Sequence, residues 1–268
     1  MNDFQRRIFP FILIFIFFDL GIISSSYCQS YPFHPEVFKT GEELTYVIRY
    51  GFFQGGEASL KVVNTRQDFH GNPAIHFLAL GKTSGTLDIF YKVRNQYESY
   101  INPSSFLPYA YIENIKENKY TRSGTTQFDY DKKLASNKNG HYIIKDWTRD
   151  IVSAYYFARS IDVSNLKVGD KFTLSYFLED ATYPLEIQYL GREKVRSPTG
   201  TYWCQKYSPS IEPGRIFRKN SKIYLWITDD ENHIPIKAKA DILVGSIILE
   251  LKEFRNLNKP LLSLNVPE

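Results

Sequence analysis

Apolar and polar residues alternate along most of the chain beyond residue 40. Leu44, Tyr46 and Ile48 alternate with polar or charged neighbours, and the same pattern returns around Leu60. A period of two places the apolar set on one face of a strand, which predicts a sheet with one buried face. Between the two runs lies GFFQGG, whose glycines permit a tight turn. The pattern therefore predicts a β-hairpin over residues 43–64.

Further alternating segments follow at regular spacing, and turn signals such as Gly-Asn-Pro and Asn-Gly separate many of them. A dozen short strands with few helices predict a mainly β fold, either an antiparallel sandwich or a curved half-barrel or barrel. The predicted strands lie at about residues 74–80, 86–100, 106–117, 120–130, 141–145, 171–178, 183–196, 201–208, 221–228, 234–241 and 246–254.

One central segment has the helical period instead. Ile151, Ala154 and Ala158 fall at i, i+3 and i+7, so they share one face of a helix. Asp150 stands where an N-cap or first-turn acid stabilises a helix. The pattern predicts a single helix at about residues 149–161.

The segments on either side of this helix resemble each other. GEELTYVIRY begins at Gly41 and GDKFTLSYFL begins at Gly169, and each opens with glycine and an acid before an alternating strand. The likeness predicts two similar β halves, at about residues 37–145 and 167–255. A simpler explanation stays open, because alternating strands resemble one another without duplication. Both alternatives are compatible with one β-rich domain over residues 29–268.

The first 28 residues predict an export signal. Two arginines precede the apolar stretch 8–18, and small polar residues lead to a cleavage site after Cys28. A retained membrane anchor is one alternative, although Asp19 interrupts the apolar run. A lipoprotein acylated on Cys28 is another, although Tyr27 is larger than such sites favour. After cleavage we expect no membrane span and a place in the periplasm or at the periphery of the outer membrane.

Four motifs carry a family resemblance: GEELTYVIRYGFFQGGEASLKV, DIFYKVRNQYESYI, DIVSAYYFARSID and TDDENHIPIKAKADILVGSIILEL. Together they resemble the domain of unknown function family 3108, a group of exported bacterial proteins frequent in Bacteroidetes, over about residues 37–255. The resemblance implies an envelope location and a β-rich fold, and it implies no activity. The motif residues, of unknown role, are Asp88, Asp150, Ser153, Arg159, Asp229, Asp230 and Pro235.

Composition and motif spacing exclude several kinds of chemistry. The formal net charge of +4 is mild and scattered, which argues against nucleic-acid binding. The histidines show no metal-ligand spacing, no Gly-x-Ser-x-Gly elbow is present, and the glycines form no phosphate loop. The acids of 229–231 precede a histidine, but they fall between two strands and predict a hairpin turn. We predict no catalytic residues, metal or cofactor, and a buried, inert Cys204.

Aromatic residues make up 16% of the chain. Tyrosine and tryptophan have apolar bodies and polar tips, so they suit sites for amphipathic ligands, and they are equally good strand and core residues. If they line a ligand site, the candidates are Tyr91, Tyr97, Tyr109, Tyr224 and Trp226.

Three functions stay open at this stage. The first is non-catalytic binding or shielding of an apolar or amphipathic ligand such as a lipid. The second is an interaction or assembly module that binds an envelope protein and no small ligand. The third is a hydrolase of envelope polymers, for which Asp229, Asp230 and His233 are the best and still poor support.

Two expectations concern stability. Leu225 and Ile227 should be core residues, because they lie in a strongly apolar strand. Gly56 should need a backbone angle that alanine tolerates poorly.

Overall fold

The computed structural model describes residues 32–51, 53–69, 71–210, 222–241, 245–262 and 264; the predicted signal peptide lies outside them. Most of the described residues are in β-strands, as the alternating pattern predicts. The strands are β1 (Glu43–Tyr50), β2 (Phe53–Val63), β3 (Asp68–Phe69), β4 (Asn72–Pro73), β5 (Ile75–Thr83), β6 (Arg94–Ile101), β7 (Pro108–Glu117), β8 (Tyr120–Asp129), β9 (Leu134–Asn137), β10 (Gly140–Ile143), β11 (Thr148–Asp150), β12 (Lys171–Leu178), β13 (Ala181–Ser197), β14 (Gly200–Pro209), β15 (Ile223–Thr228), β16 (Pro235–Asp241) and β17 (Ser246–Arg255).

Fifteen of these strands form one large sheet in the order β10-β9-β8-β7-β6-β5-β2-β1-β17-β16-β15-β14-β13-β12-β11. Successive strands are neighbours, and the sheet is completed in the middle by the antiparallel pairing of β1 with β17. Neighbouring strands within this sheet pair antiparallel, except for β11 and β12, which pair parallel. The short strands β3 and β4 make a separate hairpin. The mainly β prediction is confirmed, in the form of a curved sheet.

Side chains, not a strand ladder, join the two edges of this sheet. Among the described residues, β10 and β11 are edge strands that do not pair with each other. The Asn137 Nδ2 atom donates to Asp180 Oδ1 at 2.6 Å, and the Asn139 amide donates to Asp180 Oδ2 at 3.0 Å. The rings of Tyr142 and Phe177 lie 5.8 Å apart. The sheet therefore curves into an open barrel-like shape.

The central helix, α2, spans Ile151–Ser160 and confirms the helix predicted at 149–161. The Asp150 carboxylate caps it, accepting from the backbone N–H groups of Val152 and Ser153, each at 2.9 Å. The helix packs on the inner face of the curved sheet, where the ring of Tyr156 stacks on Phe77 with centroids 3.7 Å apart.

A second helix, α1, spans Gly85–Phe90 and corrects two predictions. The segment 86–100 is not one strand, and α2 is not the single helix. Gly85 has φ +59°, a left-handed angle that turns the chain out of β5. The side chain of Leu87 lies over Gly55, where a Cβ atom would be 2.9 Å from Leu87 Cδ2. Packing of Leu87 on this glycine holds a helical turn within a sequence whose pattern resembles a strand.

The buried apolar residues form two clusters. The inner core lies between α2 and the inner face of the sheet, and the second core lies among β1, β2 and the strands β13–β17. Leu225 and Ile227 are only half-buried, whereas Trp226 between them is buried. Leu225 and Ile227 pack against the inner core, and Leu225 also packs against the second core, so both contribute to the core without being fully buried.

Gly56 is needed for a different reason from the one predicted. Its φ is not positive; instead, β2 and β5 approach each other so closely that a Cβ atom on Gly56 would lie 2.4 Å from the carbonyl oxygen of Lys82. The intolerance of alanine therefore comes from close strand packing, not from a left-handed angle.

Candidate functional site

Large apolar side chains are exposed at one end of the sheet. Phe53, Ile89 and Phe90 are 76%, 81% and 76% exposed. Tyr50 at the end of β1 and Tyr120 at the start of β8 are partly exposed at the same end of the sheet. We call these five residues the apolar rim. Single exposed apolar residues are common on protein surfaces, but several at adjacent turns indicate an interaction site.

Backbone hydrogen bonds hold the turns of the rim at the same end. Tyr50 pairs with Phe53 across the β1–β2 turn. The Ser84 N–H donates to the Gly55 carbonyl at 3.1 Å, which ties the start of α1 to β2. The Asn118 N–H donates to the Lys92 carbonyl at 2.8 Å, which ties the β7–β8 turn to the segment after α1. The rim is therefore a continuous surface built from three connected turns.

Asp88, a family-motif residue, fixes α1 to the start of β6. The Arg94 guanidinium donates to both Asp88 carboxylate oxygens, at 2.7 and 2.9 Å, and the Thr83 hydroxyl donates at 2.5 Å. The hydrogen bond from Arg94 lowers the pKa of Asp88 to about 2. Asp88 therefore supports the position of Ile89 and Phe90.

Below the rim, on the inner face of β6–β8, lies a group of polar side chains that we call the polar inner layer: Asn95, Tyr97, Glu113, Glu117 and Arg122. Along β7, Glu113 and Glu117 lie on the same face of the strand as Tyr111 and Ile115, because all four are separated by even numbers of residues. Tyr111 and Ile115 belong to the inner core. Strand geometry therefore turns the two carboxyl groups inward.

Glu117 is the most unusual member of this layer. It is 1% exposed. Its Oε1 atom accepts from Asn95 Nδ2 at 2.7 Å, whereas its Oε2 atom has no hydrogen-bond partner among the described residues. Burial raises the pKa of Glu117 to about 7, although Asn95 and Tyr91 favour the ionised form. A buried carboxylate oxygen of this kind can accept a further hydrogen bond.

Two tyrosines on the same face also have hydroxyl groups without partners. The rings of Tyr97 and Tyr111 stack with centroids 6.5 Å apart, and neither buried hydroxyl forms a hydrogen bond with the described residues. Burial raises the pKa of both hydroxyls, which keeps them protonated. Buried polar groups are normally paired with protein or ordered water, so these positions have unused hydrogen-bonding capacity.

Glu113 and Arg122 form the charged border of the layer. The Arg122 Nε atom lies 2.5 Å from Glu113 Oε1, and Arg122 Nη1 lies 3.9 Å from Glu179 Oε1 in the β12–β13 turn. Burial raises the pKa of Glu113, and the Arg122 guanidinium opposes that rise. The ion pairs link the inner face of β8 to the opposite edge of the sheet.

Most of the other motif residues have structural contacts. Ser153 donates to the Asp150 carboxylate at 2.8 Å, and the buried Arg159 is paired with Glu42. Asp229 accepts from Gln205 Nε2 at 2.8 Å, and Asp230 accepts from the Thr228 hydroxyl at 2.8 Å, both in the β15–β16 turn. That placement agrees with the predicted hairpin turn. Pro235 begins β16.

The five aromatic candidates do not come together at one place. Tyr97 lies in the polar inner layer, and Tyr91 directly follows α1 at the rim. Tyr109 stacks on Phe69 of the β3–β4 hairpin with centroids 4.9 Å apart. Tyr224 and Trp226 pack against the second core. Only the first two therefore belong to the candidate site.

Sequence reasoning missed Asn95, Glu113, Glu117 and Arg122. A signal was present for the two glutamates, since Glu113 and Glu117 occupy the same alternating positions as the apolar residues of β7. An acid at an inward-facing position of a strand is costly to bury and therefore marks a site.

Other chemistry finds little support in the part of the chain that the structure describes. Cys204 is buried and has no disulfide partner there, and burial raises the pKa of its thiol to about 12. No group of three or more metal-ligating side chains converges among the described residues. None of the described helices combines the length and apolarity required to cross a membrane.

Comparison with protein families gives one clear match. The model of the family described as Protein of unknown function (DUF3108) matches residues 45–252. The chain belongs to this family. A search of curated proteins finds no match for this DUF3108 member.

Several solved structures are similar to this chain to different degrees. A β-barrel-like protein of the domain of unknown function DUF1849, from Brucella abortus, matches with a TM-score of 0.53 at 9% identity, covering 82% of this chain and 99% of that one. An exported protein with a YmcC-like fold from Bacteroides fragilis has a TM-score of 0.38 at 10% identity, covering 84% and 100%. Lipoprotein LppX from Mycobacterium tuberculosis has a TM-score of 0.24 at 12% identity, covering 82% and 87%. The first match shows a shared β-barrel-like fold.

Proposed function

We propose that this DUF3108 protein is an exported envelope protein, in the periplasm or at the outer-membrane periphery, that binds an amphipathic molecule such as a lipid without transforming it. The observation that carries the proposal is the position of the apolar rim above a polar inner layer with unpartnered buried groups. An amphipathic ligand has an apolar part that suits the rim and a polar part that suits the layer.

The polar layer defines what the ligand's polar group must offer. Among the described residues, Glu117 Oε2 accepts no hydrogen bond, and the hydroxyls of Tyr97 and of the neighbouring Tyr111 are unpaired and can donate or accept. Leaving such a group buried and unpaired costs about 1–3 kcal/mol. A hydroxyl or ammonium group that donates to Glu117 Oε2 would recover part of that cost, so we infer a ligand with a hydrogen-bond donor at its polar end.

A second candidate, an assembly module for an envelope protein, has its own support. The inner core is occupied by α2, with Tyr156 stacked on Phe77, and the rim is exposed. A filled core with an exposed apolar surface favours a docking partner. By contrast, Asp229, Asp230 and His233 bind neighbouring protein groups within or beside their turn, so the hydrolase hypothesis has no arranged site there.

Native mass spectrometry tests ligand binding directly. The processed protein is purified gently from exporting cells and, in parallel, offered a total lipid extract of the same cells. We expect an added mass that is retained by the wild type and weakened about tenfold or more by Glu117→Gln, which replaces the free acceptor with an amide. Glu57→Gln, at the same end of the sheet but on an exposed ion pair, is the control. A wild type that carries and takes up no added mass contradicts the proposal.

A further inference from the structure

We propose that the apolar rim docks on the surface of an anionic lipid bilayer. This extends the proposed function, because the rim is part of the same site, but it does not require the polar inner layer to be occupied. The partner is an extended membrane surface, whereas the ligand above is a single molecule. The two proposals therefore fail independently.

Three apolar side chains of the rim are exposed at neighbouring turns. Phe53 lies at the β1–β2 turn, and Ile89 and Phe90 end α1, each more than three-quarters exposed. Apolar and aromatic side chains that lie in the interfacial region of a bilayer lose this exposure. Complete burial of one such side chain favours binding by about tenfold or more.

Among the described residues, lysines without ion-pair partners lie near the rim in excess over free acids. Lys92, Lys116 and Lys119 are exposed, and none of them forms an ion pair with the described residues. The nearby acids are already engaged, since Asp88 binds Arg94 and Glu57 binds both Lys82 and Lys252. The rim is therefore surrounded by positive charge, which complements anionic headgroups and favours binding several-fold per lysine.

The rim is also held in shape before it binds. Leu87 packs on Gly55, and Asp88 is fixed by Arg94 and Thr83. Because α1 is anchored at both of these residues, docking orders few additional side chains, and the binding energy is not spent on folding a loop. The opposite end of the sheet, where Val168 is exposed, supplies a matched comparison.

Vesicle co-sedimentation tests the proposal with the processed protein. Phosphatidylcholine vesicles, with and without phosphatidylglycerol, are compared at low and high salt. We expect the wild type to bind the anionic vesicles and to lose much of that binding at high salt. The double variant Ile89→Ser/Phe90→Ser should bind about tenfold or more weakly, whereas Val168→Ser, at the other end, should bind like the wild type.

A second pair of variants tests the lysines. Lys92→Glu/Lys119→Glu should lower binding to anionic vesicles by about tenfold or more and change binding to neutral vesicles little. Lys167→Glu, exposed at the opposite end, is its control. The proposal is overturned if the wild type does not bind anionic vesicles, or if the rim variants bind as well as their controls. If the wild type binds a membrane protein through the rim but does not bind lipid vesicles, the partner is a protein, and the proposal is equally overturned.

Discussion

Two regions of the inner core treat a buried glutamate in opposite ways. The Arg159 cluster consists of Arg159, Glu42, Asn232 and His233, and in it the guanidinium of Arg159 meets acceptors on several sides. Its Nη1 and Nη2 atoms donate to the two Glu42 oxygens at 2.6 and 3.2 Å, and further bonds reach the carbonyls of Asn232 and His233 at 3.0 and 3.2 Å. In the polar inner layer, by contrast, Glu117 Oε2 and the Tyr97 hydroxyl have no hydrogen-bond partner among the described residues.

The difference separates structure from candidate function. Arg159 donates to both oxygens of the Glu42 carboxylate, so this buried ion pair holds α2 to the segment before β1 and leaves neither carboxylate oxygen for a ligand. Glu117 has one carboxylate oxygen without a partner among the described residues, and that oxygen can recognise a polar group. Of these two buried glutamates, only Glu117 therefore belongs to the candidate site.

The largest expected effect concerns the Arg159 cluster. Glu42→Ala leaves a guanidinium that is 1% exposed without its carboxylate, so we expect the free energy of unfolding to fall by about 3–5 kcal/mol. Chemical denaturation measures this loss. The control is Asp170→Ala, which removes an exposed acid that accepts only from the Lys167 N–H, at 2.8 Å, and should cost about 1 kcal/mol or less. Equal losses of unfolding free energy in the two variants would show that the Glu42–Arg159 ion pair does not hold the fold together.

The next effect is a pH dependence that originates in the polar inner layer. The pKa of Glu117 is about 7 in the folded protein against a reference of 4.5. The folded state therefore binds this proton more tightly, and its stabilising contribution is complete below about pH 4.5 and lost as the pH rises through 7. At about 1.4 kcal/mol per pKa unit, the change is on the order of 3 kcal/mol.

Glu117→Gln removes this titration and isolates it from other groups. Denaturation at about pH 5 and about pH 8 should show the wild type losing stability relative to the variant as the pH rises. Parallel profiles for the two proteins would show that Glu117 is not protonated near neutral pH, and that the layer is better solvated than its burial indicates.

The smallest effect compares two tyrosines. Tyr97→Phe removes a buried hydroxyl without a partner among the described residues, so the free energy of unfolding of the unliganded protein should change by about 0.5 kcal/mol or less, or rise slightly. Tyr130→Phe removes a hydroxyl that donates to the Thr148 carbonyl at 2.6 Å and should cost about 1–1.5 kcal/mol. A larger loss in Tyr97→Phe than in Tyr130→Phe would mean that an ordered water or ligand already pairs with Tyr97.

The sequence predicts the strands well because one face of the sheet is buried along most of its length. The alternation around Leu44 is present in the structure, and Asp150 caps α2 where the pattern places it. The predicted face of α2 is only partly right, because Ala154 is buried whereas Ile151 and Ala158 are partly buried. The larger buried apolar side chains are those of Val152, Tyr156 and Phe157.

Strands β3, β4, β9 and β11 were not predicted, because segments of two to four residues show little alternation. Strand β10 is equally short but follows a recognisable Asn-Gly turn. Helix α1 was missed because its stability depends on Leu87 packing against Gly55, a contact that local sequence does not encode.

The predicted similarity of the halves has a local counterpart. Gly41 and Gly169 have φ +90° and +100°, and their N–H groups donate to Val62 and Tyr189 in the neighbouring strands at 2.7 and 2.9 Å. The two glycine-acid turns thus share a backbone hydrogen-bond pattern. The acids that follow the two glycines make different contacts. Glu42 forms an ion pair with Arg159 of α2, whereas Asp170 is exposed to solvent.

The candidate site was harder to predict than the fold. Tyr97 was selected for its aromatic character, but the groups beside it, Asn95 and Glu117, come from different strands and meet only through the register of β6 with β7. Pairwise register is a long-range property, so single-strand patterns cannot supply it. The rim likewise depends on three turns that the sheet brings to one end.

The pairing of β1 with β17 has a consequence for how the chain folds. Tyr50 and Ile247 are partners in the middle of the sheet although most of the chain lies between them in sequence. Contacts of such long range slow folding, because a large loop must close before they form. A chain emerging N-terminus first would keep β1 as an unpaired edge until its last long strand appears. Because β17 pairs with both β1 and β16, loss of β17 should leave two incomplete sheets with exposed edges rather than a smaller stable protein.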